Sequence, residues 1–96
     1  MAKSLPARVT VSPDTLFQEV TNEAVLLNLA TEQYYILDDV GMRMWQLLAA
    51  HHETELVVEK LLGEYDADES TIRQDLAELI EKLTEVGLLT AVPAES

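Results

Sequence analysis

The hydrophobic positions change period along the chain. Up to Leu37 they alternate or run in short blocks between turn compositions, as strands do; from Val40 onward they recur every three or four residues, as in amphipathic helices. Arg8-Val9-Thr10-Val11 alternates as a short strand and ends at Ser12-Pro13-Asp14-Thr15, where Pro13 cannot donate to a ladder. Leu16 to Val20 is a second strand and Thr21-Asn22-Glu23 a second turn. Val25 to Leu29 and Tyr34 to Leu37 are two more strands, separated by Ala30-Thr31-Glu32-Gln33, a connection of hairpin length.

In this last hairpin Val25, Leu27 and Leu29 fall on one face of their strand and Ala24, Leu26 and Asn28 on the other, with Asn28 marking the wetter face. A bulged turn at Glu32 puts Tyr35 and Leu37 with the Leu27 face, whereas a two-residue turn puts Tyr34 and Ile36 there. The bulged register is preferred, because it sends Tyr35 and Leu37 into the core and Tyr34 outward.

Three helices follow. Asp38 and Asp39 are capping types, and the first helix runs from about Asp39 to Ala50, ends at His51-His52-Glu53 and is anchored in the core by Trp45. The second begins near Thr54, buries Val57, Val58, Leu61 and Leu62, and stops around Gly63 to Tyr65. The third has Asp68 as N-cap and an apolar stripe of Ile72, Leu76, Leu79, Ile80, Leu83 and Val86. Gly87 suits the left-handed position past its end, with Leu88 making the accompanying apolar contact. Leu89 to Val92 adds a short strand. Strands followed by three helices predict a small α+β domain, an N-terminal antiparallel β-meander with a winged helix-turn-helix-like arrangement. One domain is expected over residues 8–92, between flexible ends at 1–7 and 93–96.

Composition narrows the function. With 48% hydrophobic residues among 96, one globular domain is expected. Eighteen acidic against six basic residues give a formal net charge of −12, which opposes binding to nucleic acid or to an anionic membrane. There is no cysteine, no signal-peptide pattern and no bilayer-length apolar run, so a cytoplasmic protein is expected.

The winged-helix pattern invites a DNA-binding reading, but the third helix presents Glu69, Asp75, Glu78, Glu81 and Glu85 against only Arg73 and Lys82. His51 and His52 are adjacent, lack an i, i+4 partner, and need no role beyond that of cations near a helix C-terminus. Glu64 to Glu69 lacks the glycine and spacing of a calcium loop. No nucleophile–base constellation or phosphate loop is present, so neither catalysis nor a cofactor or metal is expected.

What remains is geometric. Gln33-Tyr34-Tyr35-Ile36-Leu37 contains no Pro, Lys or Gly, the residues that keep an edge strand from recruiting another chain. Its free edge would face a groove walled by the long helix, Ile72 to Leu83. A peptide could add itself there as a strand, with alternate side chains entering apolar pockets. Ile72, Leu76 and Leu79 would line these pockets opposite Tyr35 or Ile36, unless all three aliphatics are plain core. Arg73, Asp75 and Leu83 complete the candidate set. An unguarded edge could also pair with its own copy, so the free protein is expected as a monomer or weak homodimer.

The run VLLNLATEQYYILDDVGMRMWQLL, followed by GEYDADESTIRQDLAELIEKLTEVGLL, resembles the PqqD-type leader-peptide recognition domains of pathways that modify ribosomally made peptides. Tyr34-Tyr35 ahead of Leu37-Asp38, then Val40-Gly41 and Trp45, is most like the stand-alone lasso-peptide members. The resemblance spans roughly Val9 to Leu89 and departs at Glu32, where the family often has Gly; the turn there asks a non-Gly residue for a left-handed or otherwise uncommon conformation. It implies a non-enzymatic adaptor that captures the leader of a precursor peptide between the third strand of the meander, the one that ends it at Gln33 to Leu37, and the third helix. The adaptor would present the precursor to a separate leader protease, with a cyclase acting afterwards. A pyrroloquinoline-quinone pathway protein serving a radical enzyme is the alternative within the family, and a winged-helix DNA-binding regulator the alternative outside it.

Overall fold

The computed structural model describes residues 5–92. Two small sheets pack against three helices. β1 (Arg8–Val11) pairs antiparallel with β5 (Leu89–Val92), Arg8 opposite Val92, so the ends of the domain close on each other. β2 (Thr15–Val20), β3 (Glu23–Asn28) and β4 (Tyr34–Leu37) form a separate antiparallel meander in that order. α1 (Asp39–His51), α2 (Thr54–Glu64) and α3 (Glu69–Glu85) lie between β4 and β5. This is the predicted α+β architecture.

Local chemistry accounts for the boundaries. Thr21 and Asn22 join β2 to β3 with φ of 32° and 58°, as a two-residue hairpin matching the strand twist requires. Asp38 caps α1, its carboxylate accepting the Gly41 N–H at 2.7 Å. His52 ends α1 in the left-handed region, donating its N–H to the Leu48 carbonyl while its own carbonyl accepts from Val9. Asp68 occupies the N-cap position of α3 but makes no side-chain capping bond there. At the other end the Gly87 N–H reaches the Thr84 carbonyl and the Leu88 N–H the Leu83 carbonyl, with Gly87 at φ 75° and Leu88 fully buried, the paired bonds of a Schellman stop.

The core runs through Val9, Leu26, Leu37, Leu48, Val57, Leu61, Leu76, Leu83 and Leu88, with Trp45 at 5% exposure holding α1 to it. Thr54, also buried, donates from its hydroxyl to the Pro6 carbonyl and from its N–H to the Ala7 carbonyl. Leu5 packs against the core. Residues 5–7, placed by the sequence in a flexible end, are therefore held; the rest of that end and 93–96 lie outside the described residues.

The faces of the β3–β4 hairpin correct the sequence. The core face of β3 is Ala24, Leu26 and Asn28, not Val25, Leu27 and Leu29; Leu29 lies beyond the strand and is 56% exposed. Asn28, read as a mark of the wet face, is 4% exposed, because every polar group of its side chain is used. Its Oδ1 accepts the N–H groups of Ala30 and Thr31, and its Nδ2 donates to the Val86 carbonyl at the end of α3. Tyr34 is opposite Leu27 and Tyr35 opposite Leu26, so the bulged pairing with the Leu27 face does not form. Tyr35 and Leu37 still point inward and Tyr34 outward, since the inward face is the other one. Glu32 takes φ 63°, the left-handed conformation expected of it.

Candidate functional site

The site begins with backbone direction. In an antiparallel ladder a residue's N–H and C=O point to the same side, and successive residues alternate sides. The Asn28 N–H bonds the Gln33 carbonyl, and the Leu29 N–H bonds the Asp14 carbonyl. Continuing the two registers, even-numbered residues of β3 bond β4 and odd-numbered ones bond β2. Tyr35 and Leu37 therefore spend their backbone groups on β3, whereas those of Tyr34 and Ile36 face outward along a free edge. Gln33 is committed to the turn, with its carbonyl bonded to Asn28 and its N–H to the Thr31 hydroxyl.

Beside this edge, between β4, the start of α1 and α3, lies an open cavity of about 410 Å³. Tyr35, Gly41, Met44 and Leu79 form its apolar lining, and Asp38, Asp75, Glu78 and Lys82 its polar one. It adjoins a second depression of about 270 Å³ along Ile36, Leu37 and Glu23 that shares Tyr35, Asp38, Gly41 and Leu79. Asp75, Glu78, Leu79 and Lys82 come together because positions three, four and seven apart share one face of a helix. Around the groove Glu23, Asp38, Asp75 and Glu78 outnumber Lys82, so its potential is negative. Gly41 leaves room: a Cβ there would stand 3.1 Å from the Asp38 carboxylate and 3.4 Å from the Leu37 side chain.

The predicted site residues divide into three groups. Tyr35, Ile36, Leu37, Asp75 and Leu79 line the groove, and Tyr34 adds its outward backbone. Ile72, Leu76 and Leu83, at 5%, 0% and 0% exposure, stand in the core behind that wall. Arg73 points to the other side of α3, where its guanidinium bonds both carboxylate oxygens of Glu55 on α2 at 2.6 and 2.8 Å and that of Glu69 at 2.8 Å. These bonds raise the Arg73 pKa and hold Glu55 below the usual carboxylate range. Met44, Val40, Gly41 and Lys82 were not in the predicted set. Val40 and Met44 are four apart beside the small Gly41, a spacing that could have placed them on the side of α1 facing β4.

Among the described residues no group of three or more His, Cys, Asp or Glu could hold a metal ion, and no helix is long and apolar enough to cross a membrane. The arrangement offers a backbone ladder, an apolar floor and an acidic rim.

The family described as coenzyme PQQ synthesis protein D (PqqD) matches residues 23–89, which span the meander hairpin, all three helices and the start of β5. The chain belongs to the PqqD family. Two solved structures share its fold. One, TbiB1 in complex with the TbiA(beta) leader peptide, is 32% identical with a TM-score of 0.80, over 88% of this chain and 99% of that one. The other, a lasso peptide synthetase B1 complexed with the leader peptide, is 25% identical with a TM-score of 0.77, over the same shares. No curated protein matches the chain. Both solved relatives thus carry a leader peptide on this PqqD fold.

Proposed function

We propose that this protein is a non-catalytic adaptor of lasso peptide biosynthesis that binds the leader segment of a precursor peptide. The leader adds to the free edge of β4 as a further strand, taking backbone hydrogen bonds from Tyr34 and Ile36 and sending alternate side chains into the groove against α3. The observation that carries this is the outward-facing, uncharged β4 edge set beside an apolar floor. The acidic rim of Asp38, Asp75 and Glu78 favours a leader with Lys or Arg near its apolar anchors and speeds the encounter. The captured precursor is then presented to a separate leader protease, after which a cyclase acts. The relatives that hold leader peptides support this reading over service to a pyrroloquinoline-quinone enzyme. The charge of −12 opposes a DNA-binding role.

Calorimetric titration with the leader segment of the precursor encoded beside this chain, at two salt concentrations, tests the proposal. Saturable one-to-one binding is expected, with amide shifts concentrated in Gln33 to Leu37 and along α3. Absence of binding to that leader, or shifts confined to surfaces away from β4, would remove the adaptor role.

A further inference from the structure

β4 and α3 are the two walls of the groove, but each packs mainly on other elements, α3 on α2 and β5 and β4 on β3. What fixes the distance between the walls lies at the ends of β4. At its finish β4 runs through Leu37 and Asp38 into α1. At its start stands Asn28, whose N–H bonds the Gln33 carbonyl and whose Nδ2 donates to the Val86 carbonyl at 3.0 Å. Val86 caps the end of α3, one helical turn beyond the groove residue Lys82, and its N–H bonds the Lys82 carbonyl.

The same buried side chain shapes the turn that leads into β4. Its Oδ1 accepts the Ala30 N–H at 2.9 Å and the Thr31 N–H at 3.3 Å, and its carbonyl accepts the Glu32 N–H at 2.7 Å. An amide accepts at one atom and donates at the other, so one short side chain serves the turn and the helix end together. Gly87 leaves the space for it, since a Cβ there would lie 2.8 Å from the Asn28 Nδ2. The distance matters because an added strand has two obligations. Ladder bonds would hold it about 4.8 Å from β4 and weaken beyond N···O separations of about 3.2 Å, so its side chains reach Leu79 only if α3 stands at the matching distance.

We infer that Asn28 is a positioning residue for the leader site: its bond to the Val86 carbonyl sets the separation of β4 and α3, so that one strand can bond the edge and reach the wall at once. The inference rests on the adaptor reading above. Asn28 touches no leader itself and acts through the two walls. With the tie broken, the hairpin keeps its core residues Ala24, Leu26 and Leu37, but its turn end is released from α3. The leader then satisfies the ladder or the apolar floor, and each at the other's expense.

Asn28→Asp tests this, because it keeps an acceptor for the turn and removes the donor to Val86. Leader affinity per folded molecule should fall at least tenfold. The added negative charge favours a basic leader, so its long-range effect cannot produce that loss. A merely structural role is separated by a double-mutant cycle with leaders whose apolar residues are cut to Ala one at a time. Cuts that cost the wild type tenfold should cost Asn28→Asp threefold or less, since the variant no longer engages both walls. Gly87→Ala attacks the same bond from α3, and combining it with Asn28→Asp should lower affinity no further than Asn28→Asp alone. On the wild type, the Asn28 side-chain amide protons should be protected from exchange in the leader complex, a measurement that needs no variant. A folded Asn28→Asp chain with wild-type affinity, equal losses across the cycle, or an amide that exchanges freely in the complex overturns the inference. A wild-type chain that binds no leader overturns the adaptor reading itself, and the wild-type titration records that outcome separately.

Discussion

β2 and β4 are the two edges of one sheet, and both turn backbone groups outward: Phe17 and Glu19 on one, Tyr34 and Ile36 on the other. They differ in what accompanies the backbone. Glu19 sits opposite Ala24 with its side chain on the core-side face of β2, yet it is exposed at the rim. A charge pointing inward on an edge strand opposes a further strand, whose own apolar residues would have to pack against it. β4 reads Tyr-Tyr-Ile-Leu without a charge, and α3 and the start of α1 stand alongside with Leu79 and Met44. Backbone alone does not distinguish the two edges; the wall beside β4 and the absence of a guard on it do.

The strongest test of that comparison separates the wall's surface from its interior. Leu76→Ala, at a fully buried position of α3, should cost about 2–5 kcal/mol of stability through lost burial and the cavity left behind. Urea denaturation measures the loss, and leader affinity per folded molecule should change little. Leu79→Ala, at the groove, should reverse the balance, with the smaller loss of stability and the larger loss of affinity. If Leu76→Ala folds and binds poorly while Leu79→Ala binds normally, the groove wall has been misplaced.

The two edges can then be set against each other directly. Ile36→Pro removes an outward N–H and leaves the ladder to β3 complete, so the fold should survive while leader affinity drops about tenfold or more for the lost bond and the ring in its place. Glu19→Pro makes the matching change at the outward position of β2, and leader affinity should stay within twofold. Paired titrations on two folded variants decide the matter. Equal losses would mean that the leader does not distinguish the edges; unfolding of Ile36→Pro would mean that its N–H belongs to the inner ladder.

Much of this was legible in the chain because the signals are local. Alternation placed the strands, the three- and four-residue spacing placed the helices, and Asp38 and Gly87 marked a start and a stop that the structure keeps. The unguarded composition of β4 was equally visible, because a missing charge can be read from four residues. The sheet face was not, and Asn28 shows why. Its polarity argued for water, but the groups that satisfy it include the carbonyl of Val86, 58 residues further along the chain, which only the folded arrangement brings near. The same contact requires the glycine that follows, since a Cβ on Gly87 would lie 2.8 Å from the Asn28 amide nitrogen. Along α3, apolar spacing identified the buried stripe but could not divide Leu79 from Leu76. One helical turn carries Leu79 to the groove margin, and that margin is set by where β4 and α1 end.

Smaller effects come from the rim. Asp75→Lys with Glu78→Lys reverses the groove's charge without touching the core, since both positions are exposed. Affinity for a leader carrying Lys or Arg should fall about fivefold at low ionic strength, mainly through a slower association rate, and the gap should narrow as salt screens the rim. Stopped-flow association at two salt concentrations separates this from a loss of contacts, which would appear in the dissociation rate and persist in salt.

The smallest expected effect lies on the opposite side of α3 and shows how far the site extends. Arg73 bridges Glu55 and Glu69 at the surface, 36% exposed, where an ion pair contributes little and is screened by salt. Arg73→Gln should leave leader affinity unchanged and lower the melting temperature only slightly at neutral pH. The sign of its pH dependence follows from Glu55, whose carboxyl is held below the usual range chiefly by the hydrogen bonds from Arg73. A carboxylate depressed in the folded state contributes stability that is present above its unfolded pKa and is lost as pH falls through the folded value. The difference between wild type and Arg73→Gln should therefore be greatest near neutrality and close in acid. A melting series across that range checks the sign, and leader titrations on the same variant check the boundary. A marked loss of affinity in folded Arg73→Gln would carry the binding surface around α3 to its α2 side, and the contrast between one walled edge and one guarded edge would no longer be enough to describe the site.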